Sequence, residues 1–140
     1  MDVTRLLLIF SLSVSLVACG KGEPTIFDNS ILDGCYTAHE LPGQTVRIDD
    51  SQMFFNDELI YTDFKFGIFG RNPAPHIYAS PRVLPHLIDG KLVFQDRPTK
   101  EGSITLFVER SGDNYDLLVT EMERGRVFEF RKQSCRSSGL

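Results

Sequence analysis

From position 34 onward the chain is composed of short alternating runs, each closed by residues that turn a backbone, and this pattern limits the fold more than any other feature. Successive side chains of a strand point to opposite faces, so alternation gives each run one apolar and one polar side. Residues 44–49 place Val46 and Ile48 together, 103–109 place Ile104, Leu106 and Val108 together, and 126–132 do the same with Phe128 and Phe130. Residues 58–68 read as one long strand, with Ile60, Phe64, Phe66 and Ile68 opposite Asp63 and Lys65. Further strands are expected at 34–38, 52–55 and 115–121. Asp89-Gly90, between runs at 83–88 and 91–95, is a strong two-residue hairpin signal. Asp49-Asp50-Ser51, Asn56-Asp57, Ser111-Gly112-Asp113-Asn114 and Arg124-Gly125 supply the other turns. No stretch carries a capped 3.6-residue apolar period, so helix is not expected. The reading is an all-β domain over residues 34–136, a small antiparallel meander that closes into a barrel or, alternatively, folds into a β-sandwich.

The N-terminus has a different character. Arg5 and the amino group open it, and an apolar run interrupted only by serines extends from Leu6 to Ala18. A transmembrane helix needs roughly 20 such residues, so this run is too short to span, and its length fits the apolar core of a secretory signal. It ends in Leu16-Val17-Ala18-Cys19, which resembles the lipobox of bacterial lipoproteins. The resemblance covers residues 1–20. It implies that residues 1–18 are removed and that Cys19 becomes an acylated N-terminus, a membrane anchor made permanent by two or three chains. Gly20 follows, where Asp would suggest inner-membrane retention, so in a host with two membranes the outer one, facing the periplasm, is expected. Residues 19–33 then read as a lipidated, flexible tether that lifts the domain clear of the headgroups, and 137–140 as a C-terminal tail.

With Cys19 taken by lipid, Cys35 and Cys135 remain as a pair in an oxidising compartment, where disulfides persist. The bond requires α-carbons within about 4.4–6.8 Å, so the two ends of the meander must meet. That favours the barrel over an open sheet. The alternative for these two residues is a pair of buried thiols.

Composition is that of a globule, 41% hydrophobic with 11 Phe, 4 Tyr and no Trp, which argues against disorder and suits a β core. The net charge of −4 comes without a basic stripe, so nucleic acid is not a partner the sequence points to. His39, His76 and His86 show no metal-ligand spacing, and no nucleophile elbow or convergent carboxylate pair is evident. No cofactor, metal site or catalytic residue is therefore assigned. Gly34-Cys35-Tyr36 resembles, over three residues and with Tyr in place of Trp, the Gly-x-Trp opening of lipocalins. Ser111-Gly112-Asp113-Asn114-Tyr115 resembles the Ser-Gly-x-x-Tyr loop of periplasmic lysozyme inhibitors, with Thr99-Lys100 echoing a second segment of that family in the opposite order.

Residues 67–87 are read as irregular. They hold four prolines together with Arg71, His76, Tyr78, Arg82 and His86, a candidate interaction surface stiffened by proline. The functional expectation is a membrane-anchored, non-enzymatic envelope lipoprotein that contacts an envelope protein or plays a structural part. One alternative is a binder of a small apolar ligand, with a pocket lined by Phe64, Phe66, Phe128 and Phe130. The other is a lysozyme inhibitor.

Overall fold

Alternation translates directly into strands wherever one face is polar. The computed structural model describes residues 23–71, 73–79, 83–96 and 104–135. Cys19, Arg82, the Thr99-Lys100 pair and the tail 137–140 lie outside the described residues. Within them the chain forms β1 (Thr25–Ile26), a 3-10 turn η1 (Asn29–Leu32), β2 (Gly34–Thr37), β3 (Thr45–Asp49), β4 (Gln52–Phe55), β5 (Glu58–Tyr61) and β6 (Lys65–Ile68). It continues through β7 (His76–Ala79), β8 (Val83–Ile88), β9 (Lys91–Asp96), β10 (Ile104–Ser111), β11 (Asn114–Thr120) and β12 (Val127–Gln133). Ten strands make one antiparallel sheet in the order β1-β6-β7-β10-β11-β12-β2-β3-β4-β5, and β8-β9 form a separate hairpin.

That order is a circular meander opened between β5 and β6. Eight strand spacings of about 4.8 Å would put those two strands roughly 38 Å apart in a flat sheet. Only residues 62–64 join them, a connection that spans about 14 Å at full extension. The sheet must therefore curl on itself, and the domain is a half-closed antiparallel barrel. The first and last strands of the expected meander, β2 and β12, are ladder partners, with Cys35 opposite Gln133. The Cys35–Cys135 disulfide, with α-carbons 5.0 Å apart, fastens that junction. The seam lies in mid-chain.

Three expectations are corrected. The run at 58–68 is two strands, because Asp63 takes a positive φ of 51° and breaks the ladder where the chain passes from one edge of the sheet to the other. The tether expected to reach position 33 ends by Thr25, since Thr25–Ile26 pair with β6 and Leu32 is fully buried. Asn29 explains why this segment stays: its side-chain amide donates to Ser51 Oγ and the Phe64 carbonyl and accepts from the Phe66 N–H. One side chain thus bridges the seam. Gly67 allows it, because a Cβ there would lie 2.0 Å from the Thr25 carbonyl oxygen. Finally, the described residues of 67–87 are largely strand, with β7 an inner strand between β6 and β10.

The interior is apolar and filled. Tyr36, Phe66, Ile77, Leu117 and Phe130 are wholly buried. Phe66 meets Phe27 and Tyr115 edge-on, and Phe130 meets Phe55 in the same way. The β8-β9 hairpin turns on Asp89 and Gly90, both at positive φ as a type I′ turn requires. It has no ladder to the sheet and is held by side chains and one backbone hydrogen bond. Gln44, buried, donates to the Leu92 carbonyl and accepts from the Leu92 N–H at 2.8 and 2.9 Å. Phe94 packs against Phe55 with tilted rings 4.8 Å apart, and the Met122 N–H donates to the Pro85 carbonyl.

Candidate functional site

The four rings expected to line a ligand pocket instead fill the barrel. Phe64, Phe66, Phe128 and Phe130 are each at most 2% exposed and belong to the single core cluster. Among the described residues no group of three His, Cys, Asp or Glu is placed to hold a metal ion. Glu121, only 1% exposed, is saturated: its carboxylate accepts from the backbone N–H groups of Glu123, Arg124 and Arg126. Those bonds, the Arg126 N–H first, hold its carboxyl below the ordinary range against the opposing effect of burial. It organises the 121–126 loop. In the Ser111–Tyr115 string Ser111 sits exposed at the hairpin end, while the half-buried Tyr115 ring turns inward against Phe66 at 5.4 Å.

The expected interaction surface divides. His86, on β8, is half-buried and pairs with Glu123 at 3.5 Å, which ties the hairpin to the 121–126 loop. Arg71 is exposed in the turn after β6. His76 and Tyr78, two apart on β7, share the outer face of the sheet, and there the structure builds a cluster that the sequence does not announce. His76 is not itself a contact residue, being only 5% exposed. Phe69 lies 5.2 Å from its ring and 5.9 Å from that of Tyr78, and Phe107 of β10 flanks it at 6.0 Å. His76 Nδ1 lies 3.0 Å from the Ala74 carbonyl oxygen. The histidine is thus the buried floor of an aromatic patch whose exposed members are Tyr78 and Phe107, at 41% and 39%.

The strand registers show how far the patch extends. Directly opposed residues of adjacent strands share a face. Ile26 opposes Gly67, Gly67 opposes His76, His76 opposes Phe107, and Phe107 opposes Leu118. One outer-face row therefore runs across β1, β6, β7, β10 and β11, about 19 Å at ordinary strand spacing. Ile26 is 59% exposed at its start, and Glu129, opposite Leu118, ends it. Lys65, opposed to Tyr78, puts an exposed cation beside the aromatic end. Phe69 and Phe107 escape sequence reasoning because a single aromatic on the solvent side of a strand is ordinary. Only the β7-β10 pairing gathers residues about thirty positions apart into one surface. Comparison of the chain with family models, curated proteins and solved structures returned no match.

Proposed function

We propose that this chain is a membrane-anchored lipoprotein of the bacterial cell envelope whose β domain is a non-enzymatic contact module, working through the outer face of β6, β7 and β10. The observation that carries the reading is the contrast between a filled interior and an aromatic outer row. A barrel whose rings pack on one another has its binding capacity outside, and grouped exposed aromatics mark contact surfaces where scattered ones do not. The lipobox at Leu16-Val17-Ala18-Cys19 supports the address. The Cys35–Cys135 disulfide supports an oxidising compartment.

Intact mass of the protein extracted from the envelope tests the anchor. The expected species begins at Cys19 and carries acyl chains, with palmitate incorporated on metabolic labelling. A chain beginning at Met1 and free of lipid would refute the address. A pull-down from detergent-solubilised envelope, comparing the lipidated chain with its Tyr78→Ser/Phe107→Ser variant, tests the contact face. Any envelope partner captured by the first and lost by the second belongs to that face. A partner retained equally by both would move the working surface elsewhere.

A further inference from the structure

We infer that the outer-face row from Ile26 to Phe107 rests on the phospholipid surface to which the chain is anchored, so that the domain lies against the membrane instead of standing off it. This rests on the proposed acylation of Cys19 and names the partner of the contact face.

The chain length outside the domain carries the first step. The fold begins at Thr25, which pairs with Ile68. From position 19 to Thr25 the chain reaches at most roughly 21 Å, less than the roughly 34 Å diameter of a compact sphere whose radius of gyration is near 13 Å, as expected for a domain of this size. A domain held on so short a lead stays within its own width of the headgroups.

The second step is where that lead attaches. Ile26, the residue after the attachment point, is already the first member of the apolar row. The surface nearest the anchor is therefore the aromatic one. A short linker raises the effective concentration of the two surfaces to the millimolar range, so a contact too weak to hold a free domain is occupied when tethered.

The third step is chemical. Tyr and other amphipathic aromatics favour the interfacial layer, where a ring meets acyl chains and a hydroxyl meets water. Lys65, directly opposed to Tyr78, supplies an exposed cation at the aromatic end, suited to a lipid phosphate, while Glu109, two residues beyond Phe107 on β10, marks the anionic side of the face. On the β3-β4-β5 wall the Phe54 ring is capped by the Arg47 guanidinium at 4.0 Å, and the exposed apolar residue directly opposite it is the aliphatic Leu59, so no aromatic cluster forms there.

The absence of Trp from the chain makes an optical test clean. The lipidated full-length protein carrying Tyr78→Trp, and separately Phe54→Trp, is reconstituted in phosphatidylethanolamine–phosphatidylglycerol vesicles with brominated acyl chains. Phe107→Trp probes the same outer face, within the row itself, should the first variant fold poorly. The expected result is blue-shifted emission and loss of most of the signal for the probes at 78 and 107, with the probe at 54 unquenched. Equal, weak quenching at all three positions in protein whose mass shows intact acylation would overturn the docking and leave the anchor standing. Stronger quenching at 54 would reverse the orientation and overturn it too. Protein with an unmodified sulfur at position 19 would overturn the anchor and the docking with it.

Discussion

Two walls of the same barrel follow different rules on their outer faces. On β3 the pattern is regular: Val46 and Ile48 are buried, while Thr45, Arg47 and Asp49 face out, Arg47 and Asp49 pairing at 3.5 Å. On β7 the inner face is apolar, with Ile77 and Ala79, and the outer face is aromatic, with the buried His76 and the exposed Tyr78. The inner faces are alike because both must fill one core. The outer faces differ in what they carry, an ion pair on β3 and an aromatic cluster around His76 on β7.

That difference also explains what could be read from the chain alone. Alternation identifies β3, β10 and β12, and Asp89-Gly90 identifies the β8-β9 hairpin, because those elements are polar on one side or turned by residues that favour positive φ. The disulfide follows from counting cysteines once Cys19 is set aside. His76-Ile77-Tyr78-Ala79 gives no alternation and has Pro73 and Pro75 just before it, so the same rule reads a central strand as a loop. β1 is two residues long, too short for any periodicity. Its existence depends on Gly67, whose missing side chain is a fact about its neighbour in space. Of the contact face, Tyr78 is legible as a loop aromatic, and Phe69 and Phe107 are not, because the row exists only through register.

Four perturbations sharpen the comparison. The largest acts on the polar wall. The disulfide closes a separation of 100 residues, and Cys35→Ala with Cys135→Ala should lower the unfolding free energy by about 4.7 kcal/mol on the chain-entropy model. Urea denaturation should show this with the far-UV spectrum retained, since the β2-β12 ladder remains.

Next come the inner faces. Ile77 and Ile48 are at most 1% exposed, and Ile77→Ala and Ile48→Ala should each cost about 3 kcal/mol. A cost below about 1 kcal/mol for Ile77→Ala would mean that β7 is not a core strand and would remove the basis of the contrast.

Smaller is Gly67→Ala, at about 2 kcal/mol for forced displacement of β1. Hydrogen exchange should locate the damage at the Phe27 amide, which donates to the Phe66 carbonyl at 2.8 Å. Full protection there would show that the N-terminal segment does not depend on the close approach.

The fourth effect is confined to acid. Because the folded state depresses the Glu121 carboxyl, its contribution is complete above the ordinary carboxylate range and is lost as pH falls through the lower folded value. Glu121→Gln should therefore flatten the acid limb of the stability profile and expose the Arg124 and Arg126 amides to exchange. An unchanged acid limb would show that the three backbone bonds contribute nothing to it.

The central claim is that one wall of the barrel meets the envelope and the other meets water. A photo-crosslinking amino acid placed at position 78, and in a parallel strain at position 54, reads this directly in intact cells. The account predicts capture of lipid or envelope protein from position 78 and none from position 54. Equal capture from both positions, or capture from 54 alone, would contradict it.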